Sequence, residues 1–178
     1  MRKCLMLLGV LGLGTVAFVA GCLLMPPSSK IPRPVAEALD GPDRASSGPY
    51  SFVVYSLEPA PLGMQGAQPG SKETFHGHTI LGQTEIKDTV TRRKLVAAFN
   101  HGVSDHDGSV AACFVPHHGI RVKQGTQTID LVICFMCAQV KVYINGQESD
   151  TILISTSPRA TFNEVLDRAR VPLSEKAK

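Results

Sequence analysis

The 178-residue chain has no tryptophan, only 6% aromatic residues, and 19% charged residues against the roughly 25% usual in soluble domains. So little charge excludes a disordered acidic chain or a charged coiled coil, and the length excludes a multidomain enzyme. The recognisable catalytic signatures are missing too: the sequence holds no G-x-S-x-G, S-x-x-K, H-E-x-x-H or G-x-x-x-x-G-K-[ST], and no G-x-G-x-x-G after a strand. Arg92-Arg93-Lys94 is the one basic triplet and lies in a predicted helix, where it reads as a solvated face. Nothing resembles the basic, aromatic-lined surface that nucleic acid needs, so no nucleic-acid partner is expected.

Apolar sequence is concentrated at the start. Arg2 and Lys3 precede an uncharged run from Cys4 to Met25, the order of a secretory signal. The run closes on Val19-Ala20-Gly21-Cys22, which resembles the lipobox of bacterial lipoproteins. Small residues there admit a peptidase to the backbone, and only a thiol forms the thioether to diacylglycerol. The resemblance implies removal of residues 1–21 and acylation of Cys22, palmitate being a typical chain, with membrane lipid as the partner. The rival reading is an uncleaved membrane-spanning helix over Cys4–Met25, since about 20 apolar residues suffice. Glycines at 9, 12, 14 and 21 favour the processed signal. Without residues 1–21 the chain keeps 16 basic and 15 acidic side chains and is close to neutral.

Residues 22–48 carry the lipidated cysteine and a stretch with five prolines and several serines, which reads as an extended tether. A single domain is expected over 49–173, followed by a charged tail at 174–178. Tyr50–Leu57 reads as a strand, Leu62–Ser71 as a loop, and Phe75–Ile86 as a strand interrupted at Gly77 or Gly82. A helix over Asp88–His101 takes its cap from Asp88, turns Thr91, Leu95, Ala98 and Phe99 to one side and stops at Gly102. Several strands are expected between Ser109 and Ile144. A last helix has Thr161 and Glu164 as a capping box and Phe162, Val165, Leu166 and Ala169 on its inner face. The predicted class is α+β, an antiparallel sheet with two helices.

The chemistry-bearing residues gather in Cys113-Phe114-Val115-Pro116-His117-His118-Gly119 and Ile133-Cys134-Phe135-Met136-Cys137. A hairpin of Val110–Val115 with Ile120–Lys123, and a third strand over Gln127–Phe135, would pair Ile120 with Leu131 and set His118 level with Ile133. Apolar positions are odd up to Phe135 and even from Ala138 onward, so a bulge or bend is expected at 135–138. Three readings stay open for the cysteines: buried structural residues, perhaps one disulfide; a zinc-like site of Cys134, Cys137 and His118 with Cys113 or His117; and a redox-active C-x-x-C. His76 and His78 read as surface residues, and Asp105-His106-Asp107-Gly108 as a polar turn.

The pattern C-F-x-P-x-H-G followed by D-L-x-I-C-F-x-C-x-Q, here Cys113–Gly119 and Asp130–Gln139, resembles a family of small bacterial secreted proteins and lipoproteins. In that family Arg is common where His117 stands, so the resemblance favours His118 as a ligand. It implies an exported protein and supplies no activity. The sequence thus reads as a lipid-anchored cell-envelope protein, binding or structural rather than enzymatic, with a zinc-binding or thiol-redox role as the alternative. Leu23 in place of Asp after Cys22 leans toward the periplasmic face of the outer membrane in a host with two membranes.

Overall fold

A computed structural model describes residues 30–41, 49–59 and 73–175. The signal run, Cys22 and the loop expected at 62–71 lie outside the described residues. Seven strands form one antiparallel sheet: β1 (Tyr50–Glu58), β2 (Thr74–Phe75), β3 (His78–Glu85), β4 (His118–Gln124), β5 (Gln127–Cys134), β6 (Gln139–Ile144) and β7 (Gln147–Leu153), in the order β2-β3-β1-β4-β5-β6-β7. Helices α1 (Arg33–Asp40), α2 (Thr89–Ser104) and α3 (Arg159–Arg168) bury their apolar stripes against one face. The class is α+β, as the alternation of strand and helix patterns predicts. Among the described residues no helix is long and apolar enough to cross a membrane.

The helix-covered face follows period-2 patterning: Phe52 and Val54, Ile120 and Val122, Ile129, Leu131 and Ile133, and Val140 and Val142 all point into one cluster. Phe99, Phe162 and Leu166 fill it from above. Asp88 caps α2 as expected, its carboxylate accepting from the Thr91 N–H at 2.7 Å. The helix nevertheless continues through Gly102 to Ser104. An added Cβ at Gly102 would stand 2.4 Å from Pro158 Cγ, so this glycine serves close packing and not a stop.

Four further expectations change. Residues 33–40, read as tether, form α1, started by Pro32 and Pro34 and buried through Val35, Ala38 and Leu39. Arg92 is not solvated: it is 6% exposed and lies 5.1 Å over the Tyr50 ring. The last helix starts at Arg159, with Pro158 at its cap and no side-chain bond there. Thr161 therefore sits inside the first turn, Glu164 pairs with Lys94 and Arg168 at 2.6 Å each, and Ala169 is exposed beyond the last turn. Finally, Val110–Val115 is not a strand. β4 is paired by β1 on one side and β5 on the other, so residues 109–117 run across the sheet as a strap.

Candidate functional site

The register predicted for the third strand is observed: Ile120 pairs with Leu131 and His118 with Ile133. Of the two causes expected for the parity change at 135–138, the structure has the bend and not the bulge. Residues 135–138 form a turn with Ala138 at φ 58°, and β6 returns antiparallel from Gln139, pairing Ile133 with Val140. A hairpin with four residues in its turn exchanges odd for even positions on the same face.

That turn decides the cysteines. Cys134 and Cys137 are joined in a disulfide, Cα atoms 5.1 Å apart, and are 1% and 0% exposed. The strap closes over them: the Val115 N–H donates to Cys137 Sγ at 3.2 Å, and the Ala111 N–H donates to the Cys137 carbonyl at 3.2 Å. Cys113, in the same strap, is exposed and free. His118 does not join them. Its position alternates with Gly119 onto the helix-covered face, where Nε2 meets Asn163 Oδ1 at 2.7 Å and the ring packs between Phe135 and Phe162. Burial pushes its pKa down to about 4; the Asn163 bond opposes this, and the nearby His117 and Arg159 charges reinforce it. His117 is buried immediately before β4, where its carbonyl accepts from the Leu57 N–H at 2.9 Å. The five residues proposed as a zinc site are therefore divided between two faces and one disulfide, and among the described residues no cluster of His, Cys, Asp and Glu is arranged to hold a metal ion.

A different constellation occupies the outer face. β2 and β3 are joined by the two-residue turn His76-Gly77, both at positive φ, and the sheet curls so far that this tip reaches β6. The His76 ring stacks on Tyr143 at 3.7 Å, and its Nε2 meets Asp130 Oδ2 at 2.7 Å. Arg121, directly across from Asp130 on the neighbouring strand, donates to both carboxylate oxygens at 2.8 and 2.7 Å. Burial pushes the Asp130 carboxyl up, but Arg121 and then His76 outweigh it and hold the pKa below the ordinary value. Phe75 lies flat over Gly119, where a Cβ would be 2.8 Å from its ring, and stacks on Tyr55 at 4.4 Å. The Arg121 guanidinium then covers the Phe75 ring at 5.1 Å.

His76, read as a surface residue, is thus the bridge that ties the hairpin to the sheet. Asp130 opens the quoted D-L-x-I-C stretch and Arg121 belongs to no motif, but the Ile120–Leu131 register sets the two opposite each other. Burial, and after it the neighbouring His76, Lys141 and His117, push the His78 pKa down to about 4. Asp105–Gly108 is the polar turn expected, with Gly108 N–H donating to His106 Nδ1 and Ser109 N–H to Asp107 Oδ1, both at 2.8 Å.

Chemically, Asp130 is a carboxylate whose two oxygens are both occupied by fixed donors, and the disulfide sulfurs are covered. Neither lines the two surface hollows: one of 310 Å³ between α1 and α2, lined by Leu39, Arg92, Val96 and Asn100, and one of 430 Å³ lined by Lys30, His106, Thr151 and Leu153. No protein-family model matches the chain, and neither does any curated protein or solved structure.

Proposed function

We propose that this is a bacterial envelope lipoprotein, acylated at Cys22, whose single α+β domain has a binding or structural role at the membrane. The observation that carries the reading is the position of Cys22: it closes an uncharged apolar run behind Arg2 and Lys3 and stands eight residues ahead of the folded body. The likeness of the Cys113–Gly119 and Asp130–Gln139 stretches to secreted proteins points the same way. A disulfide in a domain of this size also fits an oxidising compartment. The non-enzymatic part rests on the partners of the ionisable groups. Asp130 is bound to Arg121 and His76, and His118 to Asn163, which are contacts that hold elements of the fold together. With two membranes in the host, Leu23 after Cys22 favours the periplasmic face of the outer membrane.

Intact mass measurement on detergent-extracted protein tests this: the chain begins at Cys22 and carries diacylglycerol and further acyl groups. A chain beginning at Met1, or Cys22→Ala protein cut at the same bond, would refute it. The second reading, thiol-redox or zinc chemistry, is favoured by one observation, the C-x-x-C pair beside the exposed Cys113. It requires Cys134 and Cys137 to react with thiol reagents in folded protein after mild reduction, or to take up stoichiometric zinc. One reactive thiol per folded chain, at Cys113, supports the structural reading instead.

A further inference from the structure

Three of the four large hydrophobic residues that are exposed among the described residues share one end of the domain: Met136 (62%), Val110 (52%) and Leu153 (36%). Their placement follows from the hydrogen bonds. Met136 tops the β5–β6 turn, whose Ala138 carbonyl accepts from Ile154 N–H at 3.1 Å, next to Leu153. Val110 precedes Ala111, bonded to the Cys137 carbonyl of the same turn. Gln139 pairs with Leu153 and reaches the Ala111 carbonyl at 2.9 Å.

The described chain begins at this same end. Lys30 Nζ lies 3.5 and 3.4 Å from the carbonyls of Val103 and Ser104 at the C-terminus of α2, and Lys30 lines one hollow with His106, Gly108, Thr151 and Leu153. The β4–β5 and β6–β7 turns, at 125–126 and 145–146, lie at the opposite end. Because α1 belongs to the folded body, the distance from the anchor to that body is set by eight residues, at most about 28 Å even fully extended. Strand β5, eight residues long, already spans about 26 Å, so bringing the far end to the bilayer would consume nearly the whole of that reach.

We propose that the end carrying Met136, Val110 and Leu153 is the face that docks on the bilayer holding the acyl chains of Cys22. The inference rests on the lipoprotein reading and deepens it: the anchor supplies attachment, and these side chains set the orientation by entering the headgroup boundary. The charged groups around the hollow at this end are Lys30, Asp105 and Asp107, so no basic cluster is present there and the contact rests on the apolar side chains. The outer-face network of Asp130, Arg121 and His76 then stands beside the membrane surface and not against it.

The absence of tryptophan makes the test direct, since each substitution introduces a single indole. Full-length chains carrying Met136→Trp, Val110→Trp or Thr126→Trp, matured in the cell and reconstituted in phosphatidylcholine vesicles, are compared with and without brominated acyl chains. Met136→Trp and Val110→Trp are expected to lose roughly half their emission to the bromines, as for groups about 5–10 Å into the headgroup boundary. Thr126→Trp, at the far end, keeps its emission. If all three proteins float with the vesicles and neither near-end indole is quenched, or Thr126→Trp is quenched equally, the docking face is wrong and the lipid anchor stands. Protein that lacks acyl groups on Cys22 and fails to float overturns both.

Discussion

On the helix-covered side of the sheet, β4, β5 and β6 contribute Ile120, Val122, Ile129, Leu131, Ile133, Val140 and Val142, an apolar layer broken by His118 at one end, on which three helices rest. The intervening positions on the other side are Arg121, Asp130, Lys141 and Tyr143, with Val132 the apolar exception. One face is held by area removed from water, spread over many residues that each contribute moderately. The other joins a smaller apolar cluster of Tyr55, Leu57, Phe75 and Val132 to a few directional contacts: a bidentate ion pair, a histidine on a hairpin tip and a disulfide under a strap. The first should weaken gradually with truncation of any member, whereas the second should depend on a small number of groups and report on reduction.

The largest expected effect lies on the helical side. A chain beginning at Gly48 lacks Val35, Ala38 and Leu39 and should lose on the order of 4–7 kcal/mol relative to one beginning at Lys30, enough to unfold a domain of ordinary stability. Equal denaturant midpoints for the two chains would remove α1 from the core. Next, Phe162→Ala should cost about 3–5 kcal/mol through the cavity it leaves among Phe135, His118 and Leu166, read in a urea melt. An effect below that of the outer-face substitutions would reverse the comparison.

Acid should then act on both sides. His118 is neutral and buried with its pKa lowered to about 4, while the unfolded chain protonates near pH 6.5. Its contribution is complete above pH 6.5 and is lost as the pH falls toward 4, amounting to about 3 kcal/mol. His118→Gln should flatten most of this slope, leaving a smaller part from His78, which shifts in the same direction. Asp130, held below its ordinary value, contributes above the unfolded carboxyl pKa and is lost only at lower pH. A melt series unchanged between pH 7 and 4.5 would contradict the buried neutral imidazole.

On the outer face, replacing both Cys134 and Cys137 by Ala should cost about 2 kcal/mol, since the closed loop is short. Hydrogen exchange should quicken in the strap at 109–117 while α1 stays protected. His76→Ala is expected to be the smallest change, about 1–2 kcal/mol, because Arg121 still satisfies both oxygens of Asp130. Its signature would be faster exchange in the β2–β3 hairpin alone. Uniform loosening of the whole sheet would mean that the two faces are not separable.

Much of the helical face was legible because it is written in local period: the Asp88 cap, the alternating apolar positions of β5 and β6, and the His118–Ile133 register all follow from short-range rules. The misreadings have physical causes as well. Pro32 and Pro34 read as tether signals in the sequence, although proline is equally at home in a first helical turn, and only burial of Val35, Ala38 and Leu39 distinguishes the two. β7 lies beyond the strands expected up to Ile144: its exposed polar residues mask the strand pattern, although Asn145-Gly146 suits the hairpin turn that precedes it.

By itself the sequence determined the α+β class, the register of β4 on β5 and the residues that face the helices, because neighbours along the chain impose these through the pleat and the helical turn. Tertiary structure alone decided that Cys134 bonds Cys137 while His118 looks the other way, and that His76 crosses the sheet to Asp130. Those outcomes depend on which face a side chain takes after a turn and on how far a sheet curls, and both are settled by packing between segments distant in the chain.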